Sequence, residues 1–178
     1  MRVKLRDVIV YSSKRGTAND LKLDSYITTD NLLQNKAGIE QAKSLPPNGN
    51  IFPKYSFNDI LISNIRPYLK KIWYANKEGC NSSDVLVLKV LEGYYPKYVF
   101  YNLLEDKFFE HMMNGAKGTK MPRGDKQQIL EYEINHHNRA NQIKIADFLS
   151  VLDEKILLNN QLNDNLSYYL FYDYLPVH

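Results

Sequence analysis

The spacing of apolar residues changes along this chain, and each change predicts a different kind of element. Over the first hundred residues the apolar positions come in short runs separated by turn residues. Asp59-Ile60-Leu61-Ile62-Ser63-Asn64-Ile65 and Lys71-Ile72-Trp73-Tyr74-Ala75 are rich in β-branched and aromatic side chains and read as strands, joined by a connection that contains Pro67. Asp84-Val85-Leu86-Val87-Leu88-Lys89-Val90 is apolar almost throughout, the pattern of a strand covered on both faces. Turn signals stand at Pro46-Pro47-Asn48-Gly49-Asn50 and at Glu78-Gly79.

After Pro96 the period becomes helical. Val99, Leu103, Phe108 and Met112, with Tyr101, Leu104 and Phe109 beside them, predict one helix that stops at Asn114-Gly115. A Gly- and Lys-containing loop runs from Gly115 to Gly124. Asp125, with Gln128 three places on, predicts the cap of a short helix through Leu130, and Glu131-Tyr132-Glu133-Ile134 reads as a last strand.

From Asn141 to about Leu170 there is neither Gly nor Pro, and Ile145, Leu149, Leu152, Ile156, Asn159, Asn163, Leu166 and Leu170 step at alternating intervals of four and three. That is a heptad seam, widened by Leu158 and Leu162. About 26 residues at 1.5 Å each give a rod of roughly 40 Å. A seam of this period faces another helix more often than a globular surface. Ile145, Leu149, Leu152, Ile156, Asn159, Leu162, Asn163 and Leu166 are therefore expected at a dimer interface, where Asn159 and Asn163 would serve register rather than stability. The plainer alternative is a helix docked on its own domain. The expected fold is α+β, with a mixed α/β body over residues 1–138 followed by a long coiled-coil-type helix and tail over 139–178.

Composition narrows the class. At 178 residues and 20.8 kDa, one globular domain with an appendage is the natural size. With 44% hydrophobic and 24% charged residues, wholesale disorder is excluded. No run of eighteen apolar residues exists for a membrane helix, and Met1-Arg2-Val3-Lys4-Leu5-Arg6 lacks the apolar stretch of a secretion signal, so a cytoplasmic location is expected. The single cysteine, Cys80, excludes an intrachain disulfide and a Cys-based zinc finger, and is most simply a small buried residue. Net charge is only +3, but it is uneven. Residues 141–178 hold two lysines against five acids, so the first 140 residues carry 21 basic and 15 acidic groups. A body with that excess suits a polyanion.

The chemistry of bond breaking is hard to find. There is no Gly-x-Gly-x-x-Gly, no Gly-x-x-x-x-Gly-Lys-Ser/Thr, no Gly-x-Ser-x-Gly and no His-Glu-x-x-His. His136-His137-Asn138 invites a metal or nuclease reading, but adjacent histidines on an extended segment point to opposite sides, and a polar hinge explains them better. Glu105-Asp106-Lys107 has a superficial Glu-x-Lys form and reads as a solvated helix face. No catalytic residue, metal or cofactor is expected.

Binding chemistry is easier to see. Lys14-Arg15-Gly16 follows the first strand-like run. Arg66-Pro67-Tyr68-Leu69-Lys70-Lys71 links two strands, and Pro67 biases Arg66 toward extended backbone that presents its guanidinium outward. Lys117, Lys120, Arg123 and Lys126 are spread through the glycine-containing loop, with Asp125 the only opposing charge along it. Cations on exposed backbone suit phosphates, while Thr28, Thr29, Asn31 and Asn64 could add hydrogen bonds to base edges. The DNA-binding candidates are thus Lys14, Arg15, Thr28, Thr29, Asn31, Asn64, Arg66, Lys70, Lys71, Lys117, Lys120, Arg123 and Lys126.

Four blocks, in order, carry a family resemblance: Tyr26-Ile27-Thr28-Thr29-Asp30-Asn31-Leu32-Leu33; Asp59 through Leu69; Gly118-Thr119-Lys120-Met121-Pro122-Arg123; and Gln142 through Ile156. The chain resembles the specificity subunit of type I restriction-modification systems. The resemblance implies a DNA target-recognition domain followed by one helix of the family's spacer, with catalysis left to methyltransferase and restriction subunits. In that family two recognition domains are joined by two antiparallel helices, so this chain looks like half a subunit. The segment Asn135-His136-His137-Asn138-Arg139-Ala140 departs from the family in lacking prolines. Two copies paired antiparallel through residues 141–170 would restore the ruler and read an interrupted palindrome in double-stranded DNA. The competing readings are a metal-dependent nuclease using His136 and His137, and a protein–protein adaptor that binds through the helix.

Overall fold

A computed structural model describes residues 1–46 and 51–173, with side chains through residue 166. The turn expected at 46–50 therefore falls almost wholly outside the described residues, as do the side chain of Leu170 and the aromatic tail beyond Asp173. Among the described residues the strands before the first α-helix are β1 (Arg2–Lys4), β2 (Ile9–Tyr11), β3 (Arg15–Gly16), β4 (Tyr26–Ile27), β5 (Phe52–Tyr55), β6 (Ile60–Ser63), β7 (Ile72–Tyr74), β8 (Gly79–Asn81) and β9 (Val85–Val90). Then follow α1 (Pro96–Leu103), α2 (Asp106–Asn114), α3 (Lys126–Leu130), β10 (Glu133–Asn135) and α4 (Arg139–Asp173).

The centre is an antiparallel four-stranded sheet in the order β2-β9-β6-β7. Its side chains alternate between two cores because successive strand residues point to opposite faces. Ile60, Ile62, Ile72, Leu86 and Leu88 face a layer of helices and pack with Val99, Leu103, Phe108, Phe109, Met112 and Ile129. Leu61, Trp73, Val85 and Val87 face the other way, onto Ile27, Leu32, Tyr55 and Ala75. Trp73 meets Tyr55 edge to face at 5.7 Å, the arrangement aromatic quadrupoles favour. β9 is thus covered on both faces, as its continuous apolar run predicted.

The second core lies under a mixed sheet in the order β3-β5-β8-β4, in which β4 runs parallel to β8. Gly79 is needed where these strands meet, since a Cβ there would sit 2.1 Å from the Ser25 carbonyl oxygen that also accepts the Tyr55 hydroxyl. A two-stranded ribbon, β1 with β10, closes the body beside the helices.

Two expectations need correction. The single helix expected from Val99 to Met112 is two, broken at Leu104-Glu105, where Glu105 is extended (φ −64°, ψ 139°). The apolar periodicity runs through the break, but a tertiary interaction overrides it. Lys36 Nζ donates to the Leu104 carbonyl at 3.1 Å and to Asp106 Oδ1 at 2.8 Å, satisfying an end of α1 and seizing the first residue of α2. Glu105, Asp106 and Lys107 are exposed, as a solvated face would be, and Asp106 serves in addition as an ion-pair centre for Lys36 and Lys70. The last strand sits two residues later than expected, at Glu133–Asn135. No helix among the described residues is long and apolar enough to cross a membrane.

Candidate nucleic-acid interface

Antiparallel register decides which loops are neighbours. β2 and β6 leave the central sheet at the end where β7 and β9 enter it. The Asn64–Lys71 connection and Asp84 are therefore gathered at one sheet end, where Arg15 shares a cavity wall with Asn81, Ser83 and Val85, whereas the Lys14 side chain reaches Ser56, beside Asp59 at the other end of β6. Backbone hydrogen bonds add two more loops. Arg66 N–H donates to Pro122 O (2.8 Å), Gly124 N–H to Asn64 O (3.0 Å) and Lys36 N–H to Lys70 O (2.9 Å).

Strain concentrates in the same place. Asn35 (φ 55°), Lys36 (φ 64°), Arg66 (φ 50°) and Lys70 (φ 52°) all adopt left-handed backbone, which non-glycine residues rarely do outside over-determined sites. For Arg66 this corrects the extended conformation expected from Pro67. Arg66 instead precedes a 3-10 turn over Pro67–Leu69, whose Leu69 N–H returns to the Arg66 carbonyl at 2.9 Å, and the left-handed turn is what carries the Arg66 N–H to Pro122. The Arg66 side chain remains exposed.

The Lys117–Arg123 segment is a small hairpin, closed by reciprocal backbone bonds of 2.9 Å between its ends. Gly118 (φ 95°) permits the reversal, and Thr119, Lys120 and Met121 form an exposed tip.

Acidic residues hold several of the cations. Lys117 pairs with Asp125 at 3.3 Å, and Arg123 with Asp84 at 2.9 Å. Asp125 is the one acid along the loop, and Asp84 opposes the loop's charge from a distant segment. Asp106 receives Lys36 and Lys70, each at 2.8 Å, and their hydrogen bonds hold its carboxyl down at about 2. Backbone N–H groups of Gln128 and Gln127, which Asp125 caps, hold that carboxyl low as well, with Lys117 adding to the effect. Lys71 Nζ donates to the Thr29 carbonyl, and Lys14 Nζ to the Ser56 hydroxyl at 2.7 Å. Lys126 lies over the Tyr11 ring, 5.7 Å from its centroid, while the Tyr11 hydroxyl donates to the Lys126 carbonyl. Tyr11, Ser12, Arg15, Asn81, Ser83 and Lys126 share the wall of one cavity of about 200 Å³.

The base-edge candidates fare unequally. Asn31 is 4% exposed, and its amide is consumed internally: Oδ1 accepts from Thr28 N–H and Oγ1, and Nδ2 donates to the Tyr26 and Glu40 carbonyls. It locks a turn and has nothing left for a base, which corrects its candidacy. The Thr28 hydroxyl belongs to the same turn, and Thr29 is half-buried beside Lys71. Asn64 shares the rim, but its Oδ1 is buried without a partner against Gly124, where a Cβ would come within 3.0 Å of it. Residues that sequence reasoning passed over are Lys36, Tyr68 (51% exposed) and Met121 (48% exposed). The two apolar ones stand on the basic loops, and their only sequence signal was an apolar residue inside a polar turn.

The seam on α4 divides. Over its first turns Gln142, Ala146 and Ser150 are buried and Ile145 and Leu149 half-buried against α1. So Ile145 and Leu149, expected at a dimer interface, lie against the chain's own body, because the helix docks there before it projects. Beyond Asp153 the described side chains are exposed. Leu152, Ile156, Leu158, Leu162 and Leu166 are between 42% and 59% exposed, with Asn159 and Asn163 among them. Phe148 (67%) and Val151 (49%) extend the exposed apolar surface and had not been singled out.

The two adjacent histidines turn to different tyrosines. His136 lies edge-on to Tyr94 and His137 to Tyr98. Among the described residues no group of three or more His, Cys, Asp or Glu is placed to hold a metal ion.

Basic loops joined by backbone hydrogen bonds sit on an α+β body from which a long helix projects. Residues 3–168 match the family described as the type I restriction modification DNA specificity domain, and the chain belongs to that family. It is 27% identical over 172 residues to the type I restriction enzyme HindI specificity subunit of Haemophilus influenzae, covering 91% of this chain and 37% of that protein. Its fold is similar to the HsdS subunit of Thermoanaerobacter tengcongensis, with a TM-score of 0.66 at 17% identity, over 93% of this chain and 45% of the other. A chain from a structure of type I restriction-modification complex assembly superposes with a TM-score of 0.67 at 16% identity, over 93% and 45%. The chain thus spans less than half the length of each. These likenesses agree with the α+β body and long C-terminal helix read from the sequence.

Proposed function

We propose that this chain supplies DNA sequence specificity to a type I restriction-modification complex, reading one half of a bipartite site per copy. The observation that carries the reading is the stitching of separate basic loops into one surface at one sheet end, on the body of a chain in this family. Arg15, Arg66, Lys117, Lys120, Arg123 and Lys126 meet phosphates of double-stranded DNA. Lys36, Lys70 and Lys71 mainly brace the loops. Thr119, Lys120, Arg66 and the exposed Tyr68 and Met121 are placed to meet groove edges. The chain is non-catalytic and works in the cytoplasm with methyltransferase subunits, and with a restriction subunit in the larger complex.

The exposed stripe from Leu152 to Leu166 supports pairing with a second α4, antiparallel, from another copy. The part of α4 beyond its docked turns, Glu154–Asp173, extends ~30 Å. Overlap of two such rods suits half-sites about one DNA turn, ~34–36 Å, apart. The test is selection from a randomised duplex library. Enrichment of an interrupted palindrome is expected; enrichment of only asymmetric or uninterrupted sites, or of none, overturns the reading.

A further inference from the structure

Gln142 joins the start of α4 to the start of α1. It is 1% exposed and uses both ends of its amide. Oε1 accepts from the Tyr95 backbone N–H and Nε2 donates to the His137 carbonyl, each at 2.8 Å. The helix does not need this side chain as its own cap, because Asn138 Oδ1 already accepts from the Asn141 N–H at 2.9 Å. Burial does not require an amide there either. What an amide alone provides is a donor and an acceptor on one plane, facing two different segments.

The contact continues along one stripe of α4. Arg139 donates to the Tyr94 carbonyl at 2.7 Å and lies over the Tyr95 ring. Ala146, fully buried, lets the backbones approach, and Ser150 is 9% exposed one turn later. Asp153 accepts from the Tyr101 hydroxyl at 2.7 Å. From Gln142 to Asp153 this spans about three turns, ~16 Å. A contact of that length fixes both the tilt and the rotation of a helix, whereas one at a single turn would act as a pivot.

We infer that Gln142 is a positioning residue: with the Tyr101–Asp153 bond at the far end of the contact, it sets the angle at which α4 leaves the body, and so the distance and phase between half-sites. The second part rests on the bipartite reading above. Its leverage is large. A tilt of about 10° at the base of a ~30 Å arm moves the far end by about 5 Å, more than one base-pair step of ~3.4 Å.

The experiment uses the full chain with spin labels at Lys89→Cys on the body and Asn160→Cys on α4, diluted with unlabelled protein so that only distances within one copy are read. One narrow distance distribution is expected for the parent. Gln142→Leu should broaden it at least twofold, and Tyr101→Phe, which removes one surface hydroxyl and leaves the core intact, should broaden it less. Unchanged widths in both variants overturn the inference. Duplexes enriched by the parent are then respaced by one base pair. The parent should lose about tenfold in affinity and Gln142→Leu less than about threefold, while both bind a single half-site equally. An equal spacing penalty in parent and variant overturns the role in half-site spacing. A parent with no spacing preference overturns the bipartite reading instead, and the label distances then decide the clamp by themselves.

Discussion

Leu162 gives the sharpest test of helix pairing. Its side chain is 58% exposed on the projecting part of α4. Leu162→Ala removes three carbons, worth ~2.4 kcal/mol if fully buried at ~0.8 kcal/mol each. Only the exposed fraction can gain burial on association, which leaves ~1.4 kcal/mol per copy. A two-fold pair counts every substitution twice, so the dimer should weaken by ~2.8 kcal/mol, or about a hundredfold in Kd. Sedimentation equilibrium across a concentration series reads this directly, and circular dichroism should show the monomer's melting unchanged, since Leu162 touches nothing in the body. A Kd within about threefold of the parent would refute the pairing along this face, whatever the oligomeric state.

Other consequences concern the body. Lys120→Ala at the hairpin tip should weaken binding to every duplex and reduce the slope of log K against log salt by about 0.9, the signature of one lost phosphate contact; anisotropy titrations between 50 and 200 mM salt check it, and an unchanged slope removes the hairpin from the interface. Asp106, held at about 2 by Lys36 and Lys70, has a folded value below its unfolded one of roughly 3.9. It binds fewer protons when folded, so its contribution is present above pH ~4 and fades as pH falls through about 2. Asp106→Asn should therefore flatten the acid limb of the melting profile in that window, and an unaltered limb would contradict the pairing. Leu61→Ala, at a fully buried position between the sheets, should cost ~2–5 kcal/mol in urea unfolding; a loss below ~1 kcal/mol would mean the second core is loosely packed.

Local periodicity determined much of this protein from sequence alone. The β-type run Ile60-Leu61-Ile62, the unbroken apolar run Val85–Leu88 and the heptad stepping after Asn141 each report the preference or repeat of one element. That repeat depends on backbone geometry shared by neighbours in sequence. The four ordered blocks carried the family in the same way. Partners far away in sequence were decided only when the strands paired. Lys36 reaches seventy positions to Asp106 and breaks a helix whose apolar pattern runs on. Arg66 turns left-handed because its N–H is wanted by Pro122. Asn31 turns inward because Tyr26 and Glu40 offer it carbonyls. The heptad pattern at Ile145 and Leu149 is genuine, yet α1 covers the first turns of α4, since an apolar stripe states that it will be buried and not against what. Strand pairing brought Arg15, Arg66 and Asp84 to one end and left Lys14 reaching for Ser56 at the other, because loop adjacency is a property of the sheet and not of any segment within it.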